Sequence, residues 1–181
     1  MFMEIALGVV AVIVLLLVVI ASRPATFRVE RSAMIDAPAE VVFALVNDFR
    51  EWLKWSPYEK RDPNLKRTYD GSGSGPGSVY AWAGNAQIGE GRMTITDSNP
   101  EERIAIRLEF FKPWKATNGV EFKFKPVGSG VAVSWAMSGE KNFLCKIFSL
   151  FMSMDRMIGD DYDKGLAELK RQAEAAPAAV A

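Results

Sequence analysis

The sequence contains no histidine and one cysteine, Cys145. Intramolecular disulfides are therefore impossible, and the commonest general base and metal ligand is missing. Ser-His-Asp and Cys-His nucleophilic sites, and zinc sites that use histidine, cannot be built from this chain alone. No metal and no cofactor is expected. Charge of neither sign is in excess: Lys and Arg total 22, and Asp and Glu total 22. Such a balance offers no field to attract a polyanion, so no nucleic-acid partner is expected. The glycine-rich run Asp70 to Ser78, DGSGSGPGS, lacks Gly-Lys-Ser/Thr and misses the G-x-G-x-x-G register. A strand-like segment follows it, so it reads as a flexible hairpin connection and not as a phosphate loop.

What is present is a chain of 181 residues, 49% hydrophobic, enough for one domain and an appendage. The appendage is N-terminal. From Ile5 to Ala21, seventeen residues pass without a charged or strongly polar group, about 26 Å of helix against a hydrocarbon core of about 30 Å. With Phe2, Met3 and interfacial flanks, the segment can span a bilayer. A helix apolar on every side needs more surrounding protein than a domain of this size offers, which disfavours burial in the core. A cleaved signal peptide is the alternative, but its n-region here carries Glu4 and no Lys or Arg. For an uncleaved anchor, Arg23, Arg28 and Arg31 follow the segment and no basic residue precedes it. The expectation is a single-pass protein of the inner (plasma) membrane, its domain facing the cytoplasm.

Beyond this anchor (residues 1–22) and a short tether (23–26), Phe27 to Ile35 reads as a strand. Asp36-Ala-Pro-Ala-Glu40 opens a helix, with Asp36 as N-cap and Val41, Val42, Leu45 and Val46 on its buried face. A second short helical turn carries Phe49, Trp52 and Leu53 and ends at Ser56-Pro57. Strands follow at Val79–Ala83, Ile88–Thr96, Arg103–Phe111, Gly119–Val127 and Gly130–Gly139. Ile104, Ile106, Leu108 and Phe110 share one face, as do Val120, Phe122 and Phe124, so the sheet has one wet side and one core side. From Asn142 to Ala173 the apolar residues step by three or four, which predicts one long helix. The fold expected is α+β: a curved antiparallel sheet closing on that helix, with a cavity between them.

The order of a strand, a helix pair, a run of strands and a long C-terminal helix resembles the START-like or SRPBCC superfamily, the helix-grip fold. The residues that carry the resemblance are Ile35-Asp-Ala-Pro-Ala-Glu-Val-Val-Phe43, the Phe49 to Trp55 stretch, Val79-Tyr-Ala-Trp-Ala-Gly-Asn85 and Gly89-Glu-Gly-Arg-Met-Thr-Ile95. More narrowly, Trp55-Ser-Pro-Tyr-Glu-Lys60, Phe111-Lys-Pro-Trp114 and Phe151-Met-Ser-Met-Asp155 are similar to a bacterial polyketide cyclase/dehydrase and lipid transport-like subgroup, often membrane-anchored. The resemblance implies a ligand-binding domain over residues 27–174, with 175–181 a disordered tail, and a hydrophobic cavity beneath the C-terminal helix. Catalytic members use family-specific polar residues, and no such set is matched here.

The ligand expected is a hydrophobic small molecule or lipid; no protein partner is read from the sequence. Apolar candidates for the cavity are Trp82, Phe110, Phe122, Trp135, Met137, Phe151, Met154 and Ile158, with Trp114 at its lip or on a membrane surface. Polar candidates are Tyr58, Tyr80, Asn85, Glu90, Arg92, Glu109, Asp155 and Tyr162. Glu90 and Arg92 lie two apart on one strand face and can orient a ligand's polar end, although an exposed ion-paired role is the commoner one for such a pair. Asp155 lies in an apolar stretch, where burial requires a partner. An enzyme of cyclase or hydratase type would draw its acid or base from Glu90, Tyr80 or Asp155. A protein-interaction module with a filled interior is the third reading. Asp160, Asp161 and Asp163 point in different directions on a helix and form no cation site, a solvated face being the simpler account.

Overall fold

The computed structural model describes residues 2–22, 24–141, 146 and 153–175. The N-terminal helix α1 (Phe2–Ser22) has 21 residues, about 31 Å at 1.5 Å per residue. Its apolar side chains Met3, Ile5, Leu7, Val10, Val14, Leu15 and Val18 are exposed, and several others lie outside the described set. Among the described residues no helix is long and apolar enough to cross a membrane.

Strand β1 (Thr26–Ile35) leads into α2 (Ala39–Asn47) and the single turn α3 (Trp52–Trp55). Six strands follow: β2 (Lys66–Asp70), β3 (Val79–Ala83), β4 (Glu90–Asn99), β5 (Arg103–Lys112), β6 (Ala116–Val127) and β7 (Gly130–Glu140). The chain then reaches α4 (Met154–Ala175). All seven strands form one antiparallel sheet in the order β1-β7-β6-β5-β4-β3-β2. Successive strands from β2 to β7 are thus hairpin neighbours, and β1 closes on β7.

Three expectations change. Asp36 does not cap α2: the N-cap is Pro38, with no side-chain cap bond, and the Asp36 amide instead donates to Glu174 of α4, 2.8 Å. Strand β2 has little apolar signal, since Lys66-Arg-Thr-Tyr-Asp70 turns an arginine and a tyrosine inward. The helix expected from Asn142 is not continuous, because Ser153 is non-helical and α4 begins at Met154. Residues 142–145 and 147–152, with Cys145 and Phe151, lie outside the described residues, as do 176–181 of the expected tail; Ala175 belongs to α4.

The glycine-rich run does connect a hairpin, between Asp70 and Val79, which pair across β2 and β3. It is pinned to its surroundings. The Gly75 amide donates to Asn47 O at 3.0 Å and the Gly77 amide to Ile95 O at 2.9 Å. Gly71, Gly73, Gly75 and Gly77 all have positive φ, a backbone that other residues adopt only with strain.

Helix α4 lies on the inner face and runs in the same direction as β1. Arg31 holds both Asp155, 2.9 Å, and Asp163, 3.3 Å, while Glu174 reaches the end of the strand. Gly159 sits where a Cβ would overlap the Arg31 guanidinium. Buried Ile158, Tyr162, Leu166, Leu169 and Ala173 give α4 its inward stripe.

Candidate functional site

Cross-strand register sorts the inner face of the sheet into rows. The row nearest α1 holds Phe110, Gly91 and Trp82. The second runs Phe27, Gly139, Asn118, Leu108, Met93 and Tyr80, and the third Val29, Met137, Val120, Ile106 and Ile95. The fourth holds Arg31, Trp135 and Phe122, followed by Ala33, Val133 and Phe124.

Burial changes along these rows. At the far end Phe122, Ile104 and Val133 are completely buried. The interior there is filled by side chains: Trp135 stacks on Tyr162 with centroids 3.8 Å apart and rings 12° from parallel, and on Phe122 at 5.0 Å. Trp52 and Trp55 close over them edge-on. The Trp52 and Trp55 indoles donate to Val46 O and Leu45 O, both at 2.9 Å, which fixes α3 on α2. Toward α1 the cover provided by the described residues thins: Phe27, Trp82 and Phe110 are only half-buried, while Met93, Leu108, Asn118 and Met137, though buried, retain 7–9% of their surface. These rows lie past the first turn of α4, whose described part meets β1 from Arg31 onward. Close approach is built in here: a Cβ on Gly91 would overlap the Trp82 ring and the Glu109 carbonyl.

A polar cluster stands at the β2–β3 side of the same rows. The Tyr80 hydroxyl donates to Glu59 Oε1 at 2.5 Å, Arg67 Nε donates to Glu59 Oε2 at 2.6 Å, and a further Arg67 nitrogen donates to Glu59 O at 3.1 Å. Burial and the bond to Glu59 push the Tyr80 phenol far above its ordinary range; it is a fixed donor, not a base. Nearby, Arg61 donates to Asp161 of α4 at 2.5 Å and lies over the Tyr58 ring at 5.0 Å. Burial, with Asp161 adding to it, raises the Tyr58 phenol. Burial raises Tyr162 and Tyr69 as well. Asp161 is thus buried and paired, where a solvated face was expected of the Asp160 to Asp163 run.

The candidates from sequence therefore separate. Trp82, Phe110, Tyr80 and Met137 line the thinly covered rows, with Ile158 on the first turns of α4. Phe122 and Trp135 belong to the filled end. Tyr58 and Tyr162 join the buried network around Asp161 and Trp135. Glu90 and Arg92 face outward, Glu90 to Lys112 at 2.8 Å and Arg92 to Glu109 at 2.7 Å; they make the exposed pairs that the sequence left as the commoner outcome. Asp155 is exposed and held by Arg31, whose hydrogen bond lowers its carboxyl. Asn85 turns the loop before β4, its amide donating to Asp62 at 2.7 Å. Trp114 is 66% exposed at the β5–β6 connection. Phe151 lies outside the described residues, and of Met154 only the backbone is described. Leu108, Met93, Asn118, Glu59 and Arg67 were missed. Leu108 lay on an alternating inward face already; Glu59 and Arg67 give no local signal, because their pairing bridges a loop and a strand. Among the described residues no group of acidic side chains, cysteine or histidine is placed to hold a metal.

A sheet curved over one long helix, with a helix pair sealing one end and an apolar face thinly covered at the other, defines a helix-grip protein of the SRPBCC type. The profile of the family "Polyketide cyclase / dehydrase and lipid transport" matches residues 26–174, and the chain belongs to that family. No curated protein matches the sequence. Among solved structures, protein CV1439 from Chromobacterium violaceum superposes with a TM-score of 0.59 at 16% identity, covering 85% of this chain and 100% of its own. The di-domain ARO/CYC BexL from the BE-7585A biosynthetic pathway gives 0.63 at 18% identity over 87% of this chain and 53% of its own. The Aha1 dimer from Colwellia psychrerythraea gives 0.59 at 14%, over 82% and 97%. At these identities the likeness is one of fold.

Proposed function

We propose that the protein is a membrane-anchored binding protein that holds a hydrophobic small molecule or lipid, without covalent chemistry, against the thinly covered rows of the inner face. The observation that carries this reading is the gradient of burial. One end of a continuous apolar face is filled by side chains, and at the other, among the described residues, Phe27, Trp82 and Phe110 are only half-buried. Half-buried apolar side chains can gain from being covered by a ligand, burial contributing about 25 cal/mol per Å² before association costs are subtracted. Asn118 supplies a polar group among apolar neighbours and can orient a ligand's carbonyl or hydroxyl. Family membership supports binding or cyclase-type chemistry equally. The geometry favours binding, since Tyr80 is locked to Glu59 and both Glu90 and Asp155 face solvent in ion pairs.

Anchoring rests on α1. Its exposed apolar positions, from Met3 to Val18, run most of the way round the helix, and the folded domain does not cover them. In water that surface would be costly; in a bilayer it is satisfied. The basic residues that follow it, Arg23, Arg28 and Arg31, support a domain facing the cytoplasm at the inner membrane. Uptake of a fluorescent acyl probe by the full chain in detergent tests the cavity. Saturable binding that Leu108→Trp abolishes is expected; equal uptake by wild type and variant would place the ligand elsewhere.

A further inference from the structure

The thinly covered end of the sheet is also the end where α1 joins the domain. The Lys141 amide donates to Ala25 O at 2.7 Å, so only residues 23 and 24 separate Ser22, the end of α1, from a fixed point on the sheet. That tether reaches about 10 Å at most. The domain's edge is therefore held within a headgroup's thickness of the helix end.

This edge has the composition of a membrane-contacting surface. The β5–β6 connection, Lys112-Pro113-Trp114-Lys115, puts Trp114 outward at 66% exposure beside Phe111 at 43%. On the outer face of the sheet, beginning at Lys115 and Lys141, an open trough of about 1090 Å³ is lined by five basic side chains, among them Arg107, against two acidic ones, Glu121 and Glu140. Arg103 is engaged by Glu121 at 2.7 Å and by Asp97 at 2.6 Å, and Arg28 by Glu30 at 2.8 Å, which leaves Arg107, Lys115 and Lys141 against Glu140. The whole chain is neutral, so the local excess of positive charge is a property of this surface and not of composition. Aromatic rings flanked by lysine favour the interface, where the ring meets acyl carbonyls and the ammonium groups meet phosphates.

We propose that this edge docks on an anionic phospholipid surface, with Trp114 in the headgroup layer and Lys115, Lys141 and Arg107 on lipid phosphates. Docking rests on the reading of α1 as a membrane anchor, and it turns the thinly covered rows toward the bilayer from which an apolar ligand would come.

The test uses the full chain in nanodiscs of zwitterionic lipid, with or without anionic lipid, with bromine on the upper acyl chain. Tryptophan emission of wild type is compared with Trp114→Phe. The expected result is a quenched component that Trp114→Phe removes, that requires anionic lipid, and that high salt or Lys115→Glu with Lys141→Glu abolishes while the chain stays in the discs. Identical quenching of wild type and Trp114→Phe in loaded discs overturns docking and leaves the anchor standing. A chain that does not enter discs overturns the anchor and docking with it. A Trp114-dependent cross-link to an acidic protein without quenching overturns the lipid assignment in favour of a protein partner.

Discussion

Glu59 is the residue on which the polar side of the candidate site depends. Its carboxylate, almost fully buried, takes hydrogen bonds from Tyr80 and Arg67. Removing it leaves a partly buried guanidinium and a buried phenol without their acceptor. Glu59→Ala is expected to cost about 3 kcal/mol in urea unfolding, from the range for breaking buried pairs. The four tyrosines of the chain provide a second reading at this scale, because all four phenols are raised, chiefly by burial. Their folded values lie above the unfolded value of about 10. Stability from this source is therefore intact below about pH 10 and falls as pH rises further, since the unfolded chain ionises first. An alkaline titration followed by phenolate absorbance is expected to stay silent near pH 10 and then rise together with loss of near-ultraviolet circular dichroism. Independent, non-cooperative ionisation would contradict it. On the acid side Glu168, bonded by Arg171 and Gln172, is held down to about 2. Its contribution is present above the ordinary carboxylate value and is lost as pH falls through about 2. Glu168→Gln should flatten the drop in Tm over that window. Sequence could not show Glu59 or Asp161 in these roles, because each finds its arginine through the fold: Asp161 pairs with a residue one hundred positions away.

At the scale of elements, strands were legible where one face alternates cleanly. β5, β6 and β7 were placed to within a few residues because Ile104 to Phe110, Val120 to Phe124 and Val131 to Met137 obey the period of two. β2 was invisible for the opposite reason, its inward residues being Arg67 and Tyr69. The inward face of α4 was legible from its 3.6 period, but its start was not: the apolar run before it continues the same spacing, so periodicity alone cannot mark Ser153. Packing of α4 gives two further expectations. At Gly165 a Cβ would sit 2.7 Å from the Trp135 ring and 3.1 Å from Pro57. Gly165→Ala, which in an exposed helix would gain about 1 kcal/mol, should instead destabilise by about 1 kcal/mol net, because overpacking costs about 1–3; equilibrium unfolding reads the sign. Arg31→Ala should release the first turns of α4 without unfolding the sheet. Faster amide hydrogen exchange from Met157 to Gly159, with β5 and β6 protected, is the signature.

For the whole molecule, the neutral charge and the absence of histidine turned the reading from catalysis and nucleic acid toward containment. The structure adds where containment is possible. The far end of the grip is closed by the Trp52, Trp55, Phe122, Trp135 and Tyr162 stack, while the end near α1 keeps an apolar face thinly covered. Filled and open halves could not be told apart in the sequence, since Phe122 and Phe110 follow the same alternation. Only their position relative to α3 and α4 distinguishes them. Native mass spectrometry of the full chain released from membranes, with lipid extraction of the same sample, tests the account most directly. A stoichiometric apolar molecule that co-purifies with wild type and is missing from Leu108→Trp is the result the account predicts. An empty protein that also takes up nothing from a panel of lipids and aromatic polyketides would contradict it.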